Sequence, residues 1–389
     1  MTDSVPTGEF ATLQDVVMRA RCVMQKPVWD FVVGASESET TVKRNRAALD
    51  RWAFEAEPFN DVSRINLSTQ LLGHTLATPI VLAPMGSVAL LDPDGALAAA
   101  RAAAQVGTLT FVSGIADPGI DVVSAATDGP LVYTLYVTGD QRWLDETLAH
   151  VASLPVAAIA LLADAPYYGR RDRDLMNAVK SKVSRKRHYA DVMRLLGSGE
   201  IAAPENEDPS FYGAKVTWEM FEYIKTRTGL PLVVKGVMSA RTAVRAVEHG
   251  ADVLYVSNHG GRQLDHQLGT VDVLPEVVDA VGPKVEVVVD GGCLRGADVA
   301  KCLALGAKAV GIGRLQALAL AAGGSAALVR TLRLLEEELL VDMGLLGVTN
   351  VHELRSTRLI SADVTGPNHV LGPYAVVMEQ LGRSVDTDT

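Results

Sequence analysis

Residues 257–265 read SNHGGRQLD, which sets His259, Arg262 and Asp265 around a pair of glycines. An unperturbed imidazole titrates near pH 6.5, so His259 can accept a proton at neutral pH, and a carboxylate such as Asp164 would orient it and stabilise its charged form. Arg262 adds a fixed cation beside that base, suited to holding a carboxylate-bearing substrate in a bidentate grip. Other polar residues end short apolar runs: Tyr136, Asp164, Lys235, Ser257, Asp290 and Arg314. Apolar and turn residues at those positions would mark a scaffold, whereas Tyr, Asp, Lys, His and Arg converging there mark a reaction centre.

Two glycine-rich turns accompany them, DGG at 290–292 and GIGR at 311–314, each leading into a helical stretch. Backbone N–H groups at such turns bind phosphate, so a phosphorylated cofactor or substrate is implied. The competing reading is a pair of tight turns with no ligand.

The elements that must position these groups recur from Thr78 onward: a β-branched apolar run, a break of Gly, Pro, Asp or Ser, then an Ala-rich amphipathic stretch. Eight runs end at Pro84, Gly114, Tyr136, Asp164, Gly236, His259, Gly292 and Arg314. Strands apolar on both faces belong to a parallel sheet covered on both sides, which makes an α/β fold of the (β/α)8 TIM-barrel type the expectation. A doubly wound open sheet would want a GxGxxG turn after its first strand, and residues 83–87 read APMGS.

The step after the fourth strand is long, 72 residues from Asp164 to Gly236, and holds the basic run VKSKVSRKRHYADVMR. An insertion at 165–229 on that face would act as a lid or docking element, or else as a solvated loop. Helices are expected over 12–50 as an N-terminal extension, with Leu13, Val16, Val17 and Ala20 on one face. A closing helix should end at Gly347, and the chain after Gly372 reads as loosely ordered. The expectation is one domain over 1–389, with the barrel at about 78–345.

Composition bounds the partners. With 48% hydrophobic and 21% charged residues the chain can bury a large core, and its net charge of −10 argues against nucleic acid. The N-terminus lacks the basic start and apolar core of a signal peptide, and no window reaches the roughly 18 apolar residues of a membrane span, so a cytoplasmic location is expected. Cys22, Cys293 and Cys302 show neither disulfide nor zinc spacing and read as scattered packing residues.

SNHGGRQLD resembles the signature of the FMN-dependent 2-hydroxy acid oxidases and dehydrogenases, the family of glycolate oxidase, lactate oxidase and mandelate dehydrogenase. The similarity runs from about Leu13 to about Ile360 through NRAALDRWAF, PIVLAPMG, DAPYYGRRDRDLMN, LVVKGV, VVVDGG and ALGAKAVGIGR. The resemblance implies FMN as cofactor and oxidation of an L-2-hydroxy acid to the 2-keto acid. It implies that His259 is the base, Asp164 its charge partner, Arg262 and Arg171 the carboxylate clamp, and Tyr136 the partner of the substrate hydroxyl. Lys235 would sit beside the flavin N1 and O2 region. Ser113, Thr134, Ser257 and the backbone of Pro84, Met85 and Gly86 would meet the flavin ring, while Asp290, Gly291, Gly292, Gly313 and Arg314 would hold the ribityl chain and phosphate. A homo-oligomer, tetramer or octamer, is implied too, and oxygen, a quinone or a protein would accept the electrons.

Five positions depart from the family pattern. Phe31 replaces a tyrosine whose hydroxyl helps bind the carboxylate, Ile115 a large aromatic residue, Thr134 a glutamine, Leu162 a threonine, and Leu294 an arginine that meets the phosphate, for which Arg295 would compensate. A lost hydrogen bond to a charged group is worth about tenfold or more in binding, which disfavours glycolate and lactate. A bulkier, more apolar acid or an unusual biosynthetic substrate suits Phe31, Ile115 and Leu162 together. Two alternatives stay open: a nucleotide barrel related to inosine monophosphate dehydrogenase, which would need a nucleophilic cysteine, and a barrel retained for binding or assembly.

Overall fold

A computed structural model describes residues 10–177, 213–356 and 359–385 of the chain. Eight strands, β1 (Ile80–Leu82), β2 (Thr110–Ser113), β3 (Leu131–Leu135), β4 (Ala158–Leu162), β5 (Leu232–Val237), β6 (Val253–Val256), β7 (Glu286–Val289) and β8 (Ala309–Ile312), close into a barrel. Each pairs in parallel with the next and β8 returns to β1. The eight apolar runs of the sequence are these strands, and the (β/α)8 barrel is the observed fold. Alternate side chains fill the interior, among them Val81, Phe111, Val132, Ala160, Val233, Tyr255 and Val288, while Ile80, Leu82, Val112, Ile159, Leu161 and Val289 face the helical shell. Burying such residues contributes about 1.5–3 kcal/mol each.

The barrel floor holds an element the sequence did not announce. Residues Thr69–Leu71 and His74–Leu76 form an antiparallel hairpin whose Leu71 and Leu76 join the interior cluster, and the Leu72 amide donates to Glu286 at the start of β7. Three-residue strands show too little alternation to be read from sequence.

The N-terminal extension forms α1 (Leu13–Val23), α2 (Lys26–Val33) and α3 (Thr40–Asp50), as expected. Thr12 and Asp15 make a capping box at α1. Around the barrel follow α4 (Gly95–Val106), α5 (Ile120–Ala125), α6 (Gln141–Ala152), α7 (Asp172–Met176), α8 (Trp218–Thr228), α9 (Ala240–Glu248), α10 (Thr270–Val281), α11 (Gly296–Ala304) and α12 (Arg314–Leu346). The basic run of the insertion lies outside the described residues, and so does most of the segment read as a lid.

Two expectations need correction. Helix α12 is long and apolar enough by length and composition to cross a membrane, although no such window was anticipated. It packs instead against α1, α4 and α11 and is broken at Gly323 and Gly324. The chain beyond Gly372 is not loose as far as described: Tyr374 is fully buried, its hydroxyl donates to the Leu294 carbonyl, and α13 (Ala375–Val385) follows against α1. The buried Tyr374 supplies the anchor that a short polar tail lacked on inspection.

Candidate active site

The C-terminal strand ends surround a cavity of about 580 Å³. At its base Lys235, from β5, is buried and donates to Ser257 Oγ at 2.7 Å. Ser257 donates its hydroxyl in turn to Asp290 Oδ1 at 2.6 Å, and Asp290 stands 3.5 Å from the Lys235 ammonium. A cation, a hydroxyl and a carboxylate thus link β5, β6 and β7, and each satisfies the others' buried polar atoms.

His259 follows β6 and lies at the cavity wall, its Nδ1 3.2 Å from Asp164 Oδ1. An ionised carboxylate only accepts, so the ring proton sits on Nδ1 and the lone pair on Nε2. Burial lowers the His259 pKa more than Asp164 raises it, and the imidazole is held below its ordinary value of 6.5. Burial opposes the Asp164 charge, but His259 and Lys235 more than offset this and keep the carboxyl below the ordinary range. A neutral imidazole beside a charged carboxylate is a competent general base. Gly236 makes the approach possible: its φ is +108°, and a Cβ there would meet Asp164 atoms at 2.7–2.9 Å.

His259 itself adopts φ +57°, which costs a non-glycine residue on the order of 1–2 kcal/mol. The bonds around it offset that strain. Its amide donates to Ser257 Oγ at 3.1 Å, and the preceding Asn258 exchanges two hydrogen bonds with Asn45 of α3, at 3.0 and 2.8 Å. Asn45 Oδ1 also accepts from the Thr270 amide at the start of α10. Asn45 received no role from the sequence, although NRAALDRWAF contains it. Asn45→Ala leaves buried groups of Asn258 and Thr270 unpaired and should destabilise the protein by about 1–3 kcal/mol, lowering Tm and kcat together; thermal unfolding and steady-state kinetics check this.

The roof is cationic. Helix α2 ends over the strands, and its last carbonyls receive two arginines: Arg262 donates to Phe31 O and Gly34 O, and Arg314 to Val32 O and Gly34 O. These bonds satisfy acceptors that a helix C-terminus leaves open. Arg171 is buried, donates from Nε to Arg262 O at 3.0 Å and bonds from Nη1 to the Tyr168 hydroxyl. Among the described residues neither Arg262 nor Arg314 has an ion-pair partner. Burial, with Arg171 nearby, pushes the Arg262 pKa down to about 9, and burial also pushes Arg314 to about 10. Part-buried cations with no carboxylate at ion-pair distance favour anionic ligands.

The family model for FMN-dependent dehydrogenases matches residues 20–361. The chain belongs to this family. It is 35% identical to an L-lactate oxidase of Nostoc sp. (strain PCC 7120 / SAG 25.82 / UTEX 2576) over 87% of this chain and 95% of the relative. It is 34% identical to glycolate oxidase 3 of Oryza sativa subsp. indica over 88% and 94%. A crystal structure of mandelate oxidase with (S)-2-phenylpropionate superposes with a TM-score of 0.80 at 32% identity, covering 92% of this chain and all of that one. The protein is accordingly an FMN-dependent oxidoreductase of the 2-hydroxy acid oxidase family.

The residues present fit the flavin family's cofactor. The cavity wall carries Pro84, Met85, Gly86, Lys235, Asp290, Gly291, Gly292, Gly313 and Arg314 together. Gly291 has φ +113° and no room for a side chain, since a Cβ would lie 2.4 Å from Thr270 Oγ1, so only glycine lets this turn form against α10. Arg314 supplies an uncompensated cation for a phosphate.

Not every site residue inferred from sequence reaches the cavity wall. Asp164 and Ser257 stand behind it, acting on His259, Lys235 and Asp290. Ser113 and Thr134 are buried at the ends of β2 and β3, where Ser113 receives the Ile115 amide at 3.4 Å and Thr134 Oγ1 has no hydrogen-bond partner. Arg295 does not take the place of the missing arginine: it pairs with Glu338 of α12 at 3.0 Å and lies over the Tyr374 ring, while Leu294 lines the cavity. What steadies that turn is Arg46 of α3, which donates to Gly292 O and to Asp298, the residue that collects the amides of Leu294 and Arg295.

The cysteines are not scattered. Cys293 and Cys302 are buried with their sulfurs 3.6 Å apart, whereas Cys22 is exposed. The contact with Cys302, together with burial, pushes the Cys293 thiol well up, so it is a poor nucleophile and the cysteine-dependent dehydrogenase reading loses its key residue.

Proposed function

We propose that the protein oxidises an L-2-hydroxy acid larger and more apolar than glycolate or lactate to the corresponding 2-keto acid. The observation that carries this reading is one cavity lined by His259, which Asp164 backs, by Arg171 and Arg262, and by the apolar side chains of Phe31, Ile115, Leu162, Leu175 and Val216. Two guanidinium groups recognise one carboxylate, and the apolar walls give the substituent on C2 more burial than a hydrogen or methyl would use. The (S)-2-phenylpropionate in the mandelate oxidase structure, an aromatic carboxylate, supports the same size class.

In this reading Arg171 and Arg262 hold the carboxylate and so fix C2 against His259. Burial pushes the Tyr136 hydroxyl pKa up, which keeps it a protonated donor to the substrate oxygen. Oxidation of the C2 carbinol releases a proton, which Nε2 of His259 accepts while Asp164 stabilises the resulting imidazolium. FMN, when bound, supplies the two-electron acceptor. Lys235, tied to Ser257 and Asp290, presents its positive charge at the cavity base, and Arg314 with the turns at 290–292 and 311–314 would hold the phosphate.

Anaerobic bleaching of the flavin by a panel from glycolate through lactate to branched and aromatic L-2-hydroxy acids tests the substrate class. Reduction should be fastest with the aromatic or branched acids. If glycolate outperforms them all, the size argument from Phe31, Ile115 and Leu162 is wrong. Readmitting air to the reduced enzyme then shows whether oxygen accepts the electrons.

A further inference from the structure

Beneath the Lys235–Ser257–Asp290 network stands a polar group that belongs to none of its bonds. Tyr255 of β6 is fully buried in the barrel interior, and its ring packs on Phe111 with centroids 5.1 Å apart. Its hydroxyl reaches up to the cavity base through a gap left by Gly311 of β8, which lines the cavity. A Cβ at 311 would lie 1.9 Å from Tyr255 Oη and 3.3 Å from Asp290 Cβ, so the phenol and the carboxylate share that gap. The Lys235 ammonium lies 5.0 Å from the centre of the same ring. Burial, with the Asp290 charge beside it, pushes the Tyr255 pKa well up, and the phenol stays a protonated donor. Among the described residues that donor has no hydrogen-bond partner, an unfavourable state for a buried hydroxyl. Asp290 has room for it: a carboxylate offers about four lone-pair sites, and Asp290 accepts from Ser257 at one of them.

We propose that Tyr255 is a positioning residue for the cation at the cavity base: its ring backs Lys235, and in the flavin-loaded enzyme its hydroxyl donates to Asp290. The proposal rests on the reading that Lys235 serves the flavin, and it adds what sets the strength of that charge. Each donor to Asp290 draws off part of the carboxylate's negative charge, and so leaves more of the lysine's positive charge uncancelled. A positive charge facing the flavin favours the ring when it takes up electrons. Tyr255 thereby acts on the cofactor through two other residues and touches neither cofactor nor substrate.

Tyr255→Phe removes the hydroxyl and keeps the ring under Lys235. The readout is the midpoint potential of bound FMN, measured by anaerobic titration against redox dyes. Reduction should become about three- to tenfold less favourable, a fall of roughly 15–30 mV for a two-electron couple. The double variant Tyr255→Phe/Gly311→Ala separates polarity from packing, because a methyl group at 311 refills the gap once the ring, 3.0 Å away at Cζ, gives slightly. Its potential should stay low, and a return to the wild-type value overturns the proposal by making volume the cause. Lys235→Met, measured alongside, should lower the potential further than Tyr255→Phe does. If Lys235→Met lowers it and Tyr255→Phe leaves it unmoved, Tyr255 only fills the core and the proposal fails. If neither variant moves it, the placement of Lys235 at the flavin fails first and takes the proposal with it.

Discussion

His259→Gln should lower kcat for the best hydroxy acid by about 100- to 10,000-fold while leaving the flavin bound, because positioned proton transfer contributes factors of that size. Glutamine fills a similar volume and keeps a polar group toward Asp164, but it has no basic nitrogen. The pH dependence follows from the same geometry. Burial holds the His259 pKa below 6.5, and only the neutral ring can accept a proton. Activity of the wild type should therefore be level from neutrality upward and fall on the acid side, with its midpoint below 6.5. The residual activity of His259→Gln should lack that acid limb. Stopped-flow flavin reduction across pH 5–9 measures both, and a wild-type midpoint above 7 would show that the imidazole is not set by burial in the way described.

Much of this site was legible because the fold itself sorts the sequence. Strands covered on both faces leave no polar residue unexplained along their length, so Tyr136, Lys235, Ser257, His259, Asp290 and Arg314 stood out at the ends, where the barrel gathers them. Residues whose roles depend on distant partners were not legible. Asn45 lies 213 positions from Asn258, and no local pattern predicts that two amides will meet. Tyr168 reads as a loop aromatic until the chain is seen to return it to Arg171. Arg295 fails for the opposite reason: its neighbour Leu294 occupies the wall, and Glu338 of α12 captures the charge that proximity in sequence offered to the phosphate. Thr134 is polar but buried behind the wall, and only burial separates that case from a ligand contact. The hairpin at 69–76 and the anchor at Tyr374 were missed because short segments carry little periodicity while tertiary contacts decide their state.

Arg171→Met should reduce kcat/KM for the same acid by about 100- to 1000-fold, since it removes a charge-assisted grip on the carboxylate, each such bond being worth roughly 1.5–3 kcal/mol. The accompanying stability change distinguishes a binding arginine from a structural one. Arg171 does bond to the fold, through the Arg262 carbonyl, the Tyr168 hydroxyl and a 4.0 Å ion pair with Asp174, but its charge also disfavours the protonated form of Arg262, whose pKa falls to about 9 with burial as the first cause and Arg171 as the next. Methionine keeps much of the apolar stem, loses two hydrogen bonds and the pairing with Asp174, and relieves the repulsion of Arg262. The lost pairing with Asp174 and the relieved repulsion act in opposite directions, so Tm should stay within a few degrees of the wild type while substrate binding collapses. A large fall in Tm with only a modest change in kcat/KM would mean that Arg171 holds the loop and not the acid. Asp174, 4.0 Å from Arg171, is the one carboxylate paired with these two cations among the described residues, so a bound carboxylate would balance the second charge.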